Sequence, residues 1–302
     1  MKTRYWFSKD AFPHVKNTFK PMMRSHIALT IVILSILMPF CASGQITGVE
    51  DQREFTDSLK HELEFGPYFG LYKDNYFVAG TTPFHKPTAT NSDVKFQISL
   101  AVRLTDKVLP WDSFLFLMYT QKTFWNVFEN SMPMHDMNFN PGIGWSKPFF
   151  NKDRYVGKLT LMLEHESNGR DSIQSRSWNK ISLSGSTVIN EWLMVHAKFW
   201  IPIIDGQNNK DILKYCGIYQ SGVVISTPDK RCTWGLTWVK RSGFNLNFNT
   251  IWEVSWRVSN KANLNLYAQY YNGYGEGLLD YKQFHSMLRV GIIFKPKFFS
   301  EY

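Results

Sequence analysis

The sequence has 302 residues, of which 44% are hydrophobic and 16% aromatic, and its formal net charge at pH 7 is +9. Residues 1–44 hold six of the basic residues and one of the acidic ones, so the rest of the chain carries about +4, which gives no support to nucleic-acid binding. The mean hydropathy is slightly negative and no apolar run reaches the roughly 20 residues of a membrane helix, which argues against a helical membrane protein.

The first element in chain order is predicted to be a secretory signal. Basic residues precede an apolar run at 27–40, and small residues follow it at 42–44. A positive segment, a short apolar core and small residues at the end are the three parts of a cleaved signal peptide. We therefore expect residues 1–44 to be a signal peptide. Residues 45–64 are charged and lack alternation, and we expect them to form a periplasmic N-terminal arm.

Beyond this arm, apolar and polar residues alternate with a period of two to the end of the chain. The apolar faces include Phe96, Ile98, Leu100, Val102 and Leu104, then Leu193, Val195, Ala197, Phe199 and Ile201, then Leu264, Leu266, Ala268 and Tyr270, and finally Leu288, Val290, Ile292 and Phe294. Strict alternation is typical of strands with two different faces. Residues 65–302 can supply about ten to fourteen strands of roughly ten residues each.

Two architectures fit this all-β pattern, a transmembrane antiparallel β-barrel and a soluble sandwich or lipocalin-like barrel. Long polar side chains stand in the middle of the strands and aromatic residues collect toward the strand ends, both of which favour a barrel in the outer membrane. Turns are predicted between strands at Pro141-Gly142, Asp205-Gly206 and Pro228-Asp229, because these dipeptides commonly interrupt strands.

One strand end carries the residues of interest, in the run EHESNGR at 164–170. The preceding leucines, at positions 159, 161 and 163, form the apolar face, and side chains two apart in a strand share a face. His165 and Ser167 are therefore predicted to point outward with the leucines, and Glu166 inward. In the next strand the same count from Ile181 predicts that Asn179 faces outward.

A serine, a histidine and an asparagine on the lipid side of neighbouring strands have the composition of a catalytic triad. The serine would be the nucleophile, the imidazole the base, and the amide the group that holds the correct tautomer. Polar residues at a strand end are also common without any catalytic role. The outward direction favours catalysis, because a substrate would then arrive from the bilayer.

Five further features of the sequence are segments that occur in a fixed order: HESNGR at 165–170 with SRSWN at 175–179, DVKFQISLA at 93–101, YTQK at 119–122, DILKYCGIYQ at 211–220 and LYAQYYNGYGEGLLDY at 266–281. Together these segments resemble the outer membrane phospholipase A family. This resemblance implies a barrel of twelve strands and a calcium-dependent phospholipase A1/A2 that hydrolyses phospholipid acyl esters as a homodimer. Ser167 would be the nucleophile, His165 the general base and Asn179 the residue that orients the imidazole.

The resemblance also implies residues for the oxyanion, the metal and the dimer. The backbone N–H of Gly169 would form half of the oxyanion hole. Calcium would be bound by the carbonyl of Arg170 and the hydroxyl of Ser175, with the carbonyl of Ser131 from a second copy of the chain. Gln121 would hydrogen-bond across the dimer interface.

Two departures from the family pattern stand in the same region. Glu166 replaces the glutamine that is common in the family, with little effect expected on the chemistry because it points inward. The acidic residue of the loop, Asp171, is shifted by one position, which puts a second calcium site in doubt.

The alternative from another class is a passive outer-membrane barrel, either a porin or a structural protein. A soluble secreted lipase is disfavoured because the G-x-S-x-G elbow of that fold family is missing from the sequence. His135 and His285 lack metal-ligand spacing and are interpreted as surface residues.

Overall fold

The computed structural model describes residues 69–106, 109–151, 154–203, 206–243, 245–259 and 263–295. The predicted signal peptide and N-terminal arm lie outside the described residues, as does Asp205 of one predicted turn. None of the helices in the described segments is long and apolar enough to cross a bilayer.

Thirteen antiparallel strands make up most of the described chain. They are β1 (Phe69–Leu71), β2 (Asn75–Thr81), β3 (Ser92–Arg103), β4 (Phe114–Trp125), β5 (Met134–Asn151), β6 (Arg154–Ser167), β7 (Ser177–Val188), β8 (Leu193–Ile203), β9 (Tyr219–Ser226), β10 (Cys232–Lys240), β11 (Phe248–Arg257), β12 (Leu264–Tyr274) and β13 (Phe284–Phe294). From β2 onward each strand pairs with the next, and β13 pairs back with β2, which closes the sheet into a barrel.

The first two segments are halves of one barrel strand. Phe69 of β1 lies opposite Val102, and Tyr76 of β2 lies opposite Gln97, so both halves pair with β3. At the break between them the backbone N–H of Lys73 donates to Ser99 Oγ at 3.1 Å, which replaces the interrupted ladder. Counted this way the barrel has twelve strands, and the predicted fold class is confirmed.

The two faces of the strands follow the predicted alternation. In β13, Val290 is 60% exposed on the outer face, whereas its chain neighbour Arg289 points into the barrel and is 1% exposed. Buried Arg289 bonds the two oxygens of Asp93 at 2.6 and 2.7 Å and Glu276 Oε1 at 2.6 Å. Lys198 pairs with Glu164 at 2.6 Å. Inward charges are thus paired with one another, as buried charges must be.

One predicted turn is confirmed and another is wrong. Pro228-Asp229 lies in the connection between β9 and β10, as expected. Pro141-Gly142, in contrast, lies within the 18-residue strand β5. The neighbouring strands approach closely at Gly142, where a Cβ would lie 2.7 Å from Met118 Cε and 2.8 Å from the carbonyl oxygen of Leu163. Glycine at this position therefore makes room for packing.

Residues 275–283, here called the mouth loop, close the end of the barrel at which Ser167 lies. Its backbone N–H groups at Leu278 and Leu279 donate to Asn138 Oδ1 and Asp136 Oδ2, at 3.2 and 3.0 Å. Its apolar side chains complete a buried cluster near the short helix α1 (Leu213–Cys216). The members of this cluster are Trp178, Trp200, Ile212, Leu278 and Tyr281.

Asp280 ties the mouth loop to two strands. Its carboxylate lies 2.9 Å from His285 Nε2 and 3.6 Å from His135 Nε2. The interpretation of these histidines as surface residues therefore misses their ion pairs. Burial opposes the charged form of Asp280, but the interactions with the imidazoles of His135 and His285 outweigh it and hold the pKa of this carboxyl well below its usual range.

We predict that Asp280→Asn destabilises the barrel in a pH-dependent way. Since the folded-state pKa is depressed, the stabilisation is present above the unfolded-state pKa of about 3.9 and is lost as the pH falls through the folded-state value. The expected loss at pH 7 is about 1–3 kcal/mol of unfolding free energy. Denaturant unfolding in detergent at pH 7 and pH 3 measures it.

The matched control is Asp112→Asn, whose exposed carboxylate lies 3.6 Å from Lys147 Nζ. A pair of this kind contributes about 0–1 kcal/mol. Equal effects from the two variants, or an Asp280→Asn loss that persists undiminished at pH 3, would contradict the prediction.

Candidate active site

The outer face of β6 and β7 carries both the apolar residues and the predicted polar trio. Leu161 and Leu163 are 43% and 56% exposed on this face, and His165 and Ser167 follow them by alternation. On β7, Leu183 is likewise exposed and Asn179 precedes it on the same face. Alternation along β6 and β7 thus puts the trio on the outer face, and its catalytic role stays a prediction.

His165 and Asn179 are direct cross-strand neighbours and touch through their side chains. They form one pair of the β6–β7 register, and His165 Nδ1 lies 2.8 Å from Asn179 Oδ1. With the Nδ1–H group donating to the amide oxygen, the other ring nitrogen, Nε2, keeps its lone pair. In that tautomer the nitrogen that can accept a proton is Nε2.

Ser167 is the last residue of β6 and lies opposite Phe139 of β5 and Ser177 of β7. The Cα atoms of residues two apart in a strand, such as His165 and Ser167, are separated by roughly 7 Å. An imidazole and a hydroxyl that turn toward each other can bridge that distance. The hydrogen bonds of the described residues do not include one between these two side chains. Catalytic contacts of this kind commonly tighten only when substrate is bound.

The inner face of the same strands is fixed by charge. Glu166 Oε2 accepts hydrogen bonds from Lys180 Nζ at 2.7 Å and Trp178 Nε1 at 3.0 Å. Glu166 therefore points inward as predicted. These bonds join β6 to β7 directly behind the His165–Asn179 pair, so they resist a slip of the register that would separate the two.

Asn168 organises the loop between β6 and β7, residues 168–176. Its side chain is 2% exposed, and Nδ2 donates to the carbonyl of Gln174 at 2.9 Å. Its Oδ1 accepts from the backbone N–H of Arg176 at 2.9 Å and of Arg170 at 3.4 Å. Both ends of the loop are thus held on one amide. The sequence indicated only a turn signal here, since Asn-Gly pairs are common in turns.

The next residue, Gly169, has the left-handed backbone angle φ +63°, and a Cβ would lie 2.8 Å from Phe139 Cε2. Both facts favour glycine at this position. The backbone is therefore fixed at the residue whose N–H is predicted to face an oxyanion.

The predicted metal ligands lie in two connections. Arg170 and Ser175 belong to loop 168–176, where Arg170 is anchored by Nη2 to the carbonyl of His135 at 2.6 Å and by Nη1 to Gln174 Oε1 at 2.7 Å. Ser131 lies in the β4–β5 connection with φ +67°. Within the described ranges there is no cluster of three His, Cys, Asp or Glu side chains that could bind a metal ion.

The connection between β8 and β9, whose role the sequence did not reveal, supports loop 168–176. Asn208 Nδ2 donates to the carbonyl of Ser172 at 2.7 Å, and the fully buried Asn209 donates to the carbonyl of Ser177 at 2.8 Å. Asparagines of this kind carry no sequence signal beyond their general preference for loops. Their partners become evident only from the fold.

An apolar groove of about 870 Å³ runs along the outer face and includes His165 and Asn179. Its lining is Phe69, Leu100, Ala101, Val102, Leu117, Met118, Tyr119, Pro141, Gly142, Ile143, Leu163, Glu164, His165, Asn179, Lys180, Ile181 and Ile203. Gln121, the predicted dimer residue, lies on β4 beside this groove and accepts a hydrogen bond from Tyr119 at 3.0 Å. An imidazole at an apolar outer groove is accessible to a molecule held in the bilayer.

Comparison with known proteins decides the family. The family profile described as Phospholipase A1 matches residues 68–294. The chain belongs to the phospholipase A1 family. It is therefore a phospholipase, an ester hydrolase, and its barrel lies in the Gram-negative outer membrane.

Relatives and solved structures agree with this membership. Phospholipase A1 of Proteus vulgaris is 31% identical, over 88% of this chain and 98% of the relative. That of Salmonella typhimurium is 30% identical, over 87% of this chain and 96% of the relative. The crystal structure of the Salmonella typhi outer membrane phospholipase, a dimer with bound calcium, is 27% identical with a TM-score of 0.67, covering 80% of this chain and 98% of that one.

We predict that Asn168→Ala opens loop 168–176 without unfolding the barrel. The substitution removes the acceptor that the backbone N–H groups of Arg170 and Arg176 share, and the loss of both partly buried hydrogen bonds costs about 1–3 kcal/mol. Limited trypsin digestion in detergent measures the opening, since cleavage after Arg170 or Arg176 should accelerate at least about tenfold for about 1.4 kcal/mol of local stability.

Asn208→Ala serves as the control, because it removes a single exposed hydrogen bond to the same loop. Its digestion rate should stay within about threefold of the wild type, as expected for about 0.6 kcal/mol. Equal rates for the wild type and Asn168→Ala would show that Asn168 does not hold the loop.

Proposed function

We propose that the chain is a calcium-dependent phospholipase that hydrolyses acyl esters of glycerophospholipids and is active as a homodimer. Ser167 is the nucleophile, His165 the general base and Asn179 the residue that orients the imidazole. The observation that carries this proposal is the 2.8 Å contact between His165 Nδ1 and Asn179 Oδ1 on the lipid-facing side of a phospholipase-family barrel.

The chemistry follows from this geometry. Ser167 Oγ attacks the ester carbonyl carbon while His165 Nε2 takes the hydroxyl proton. The tetrahedral intermediate collapses, the C–O bond to the glycerol oxygen breaks, and His165 gives the proton to that oxygen. Water then attacks the acyl-serine with His165 again as base, releasing the fatty acid and restoring Ser167.

Asn179 suits this position better than a carboxylate. The site borders hydrocarbon, where an ionised partner would have to be desolvated at high cost. A neutral amide oxygen accepts the Nδ1–H bond and selects the same tautomer without adding a charge. The backbone N–H of Gly169 would donate to the oxyanion, and the left-handed φ of +63° at this residue, two positions after the nucleophile, supports that role.

The residues of loop 168–176 fit a hard cation. The donors are oxygens, the carbonyl of Arg170 and the hydroxyl of Ser175, and Asn168 holds both ends of their loop on one amide. Neutral donors leave room for waters and for an oxygen from elsewhere, which the carbonyl of Ser131 in a second copy supplies. Calcium bound there would stabilise the negative charge of the oxyanion through a coordinated water.

A homodimer through the outer face of β4 is supported by the residues there. Gln121 lies on that face, hydrogen-bonded to Tyr119, among exposed apolar side chains such as Leu117. A polar side chain in hydrocarbon favours an interface where it finds a polar partner. The related Salmonella typhi structure is a dimer with bound calcium. Activity then depends on pairing because each metal site needs an oxygen from both chains.

We predict that Ser167→Ala abolishes fatty-acid release from detergent-dispersed phospholipid, lowering kcat by at least about 10³-fold. His165→Asn should do the same, and Asn179→Ala should reduce kcat less, because the imidazole remains but its tautomer is no longer held. Heat-modifiable migration in gels should be unchanged for all three. Ser177→Ala, on the opposing strand at the same level, is the matched control and should retain activity.

If the Ser167→Ala protein still releases fatty acid, Ser167 is not the nucleophile. A wild type that releases no fatty acid at millimolar calcium would favour the passive barrel.

We also predict that a calcium chelator stops hydrolysis and that added calcium restores it, whereas added magnesium restores it poorly. Magnesium demands a stricter octahedral shell and gives up its waters reluctantly. The readout is fatty-acid release together with chemical crosslinking of dimers. Full activity in chelator, with dimers absent, would contradict both the metal and the dimer in this proposal.

A further inference from the structure

The strand ladder is interrupted beside His165. In the β5–β6 register, Gly142 lies opposite Glu164 and Phe139 opposite Ser167, and the two residues between them on β5 are unpaired. By this register Pro141 lies opposite His165. Proline has no backbone N–H, so it cannot donate the ladder hydrogen bond to its partner.

The carbonyl of His165 faces this gap. Just beyond the end of β6, the backbone N–H of Asn168 donates to the carbonyl of Arg176 at 3.0 Å, on the side of β7. The even-numbered residues at this end of β6 therefore direct their backbone N–H and C=O groups to β7. Since alternate residues of an antiparallel strand bond to opposite neighbours, the backbone of His165 is directed to β5. A carbonyl without a donor inside a membrane-spanning strand is costly.

Asn140 supplies the donor. Its side chain is 9% exposed on the inner face, and Nδ2 lies 2.8 Å from the carbonyl oxygen of His165. A side-chain amide thus replaces the backbone N–H that Pro141 lacks. The peptide group it holds lies between His165 and Ser167, so its orientation sets the direction in which both side chains leave the strand.

We propose that Asn140 is a positioning residue for the His165–Ser167 pair, required because Pro141 stands opposite the histidine. The expected effect on kcat rests on the proposed function, whereas the expected effect on the position of His165 does not. Asn140 touches neither the substrate nor the reacting atoms. It acts through the backbone of the general base.

The test compares Asn140→Ala, Pro141→Ala and the double variant. Asn140→Ala should lower kcat by about tenfold or more with KM within about twofold, because a small misplacement of a catalytic base slows chemistry more than binding. Pro141→Ala should stay near the wild type. The double variant should recover to within about threefold of Pro141→Ala, since the alanine N–H can now donate to His165.

Asn265→Ala is the matched control. Asn265 Nδ2 donates to the carbonyl of Ile293 at 3.5 Å, the same kind of bond on the inner face far from the site. Its kcat should equal that of the wild type. If Asn140→Ala fails to fold, the comparison moves to the Pro141→Ala background, where removal of Asn140 should be silent. A tenfold loss in that background overturns the inference, as does a wild-type kcat for Asn140→Ala.

A second readout separates this inference from the proposed function. The ¹⁵N resonances of the His165 imidazole, assigned with His165→Asn, report its environment whether or not lipid is hydrolysed. They should shift in Asn140→Ala and return in the double variant. A wild type that is inactive on phospholipid defeats the proposed function alone, whereas unchanged imidazole resonances in Asn140→Ala defeat the positioning role.

Discussion

A polar side chain that faces hydrocarbon must find its hydrogen-bond partner on the protein, and the outer face of β6 and β7 depends on this constraint. His165 and Asn179 meet it by being direct cross-strand neighbours, with the ring and the amide 2.8 Å apart. The same contact selects the imidazole tautomer. One hydrogen bond therefore satisfies a requirement of the membrane and a requirement of the proposed chemistry.

The opposite faces of these strands have separate tasks. On the inner face, Glu166 joins Trp178 and Lys180, and Glu164 joins Lys198 at 2.6 Å. These bonds link β6, β7 and β8 behind the site. The outer face can then carry unusual polar residues without losing the register, because the register is secured from within.

Alternation predicted the parts of the site that lie on regular strands and failed where the chain departs from them. Counting by twos from Leu163 put His165 and Ser167 on the outer face, and β6 stays regular through both positions, as period two in a pleated strand requires. Pro141-Gly142 was misread as a turn, because local propensity cannot report that a neighbouring side chain replaces a missing N–H. The hydrogen bonds of Asn168 depend on residues six to eight positions away, folded back by the loop, which no periodicity encodes.

The bonded interior has a consequence for transport. Inside the barrel, Lys95 and Arg289 both pair with Glu276, and the mouth loop packs over one end. The proposed site lies on the opposite, outer face of β6 and β7. Under the proposed function, phospholipid would reach His165 and fatty acid would leave it by lateral diffusion in the membrane, without passing through the barrel.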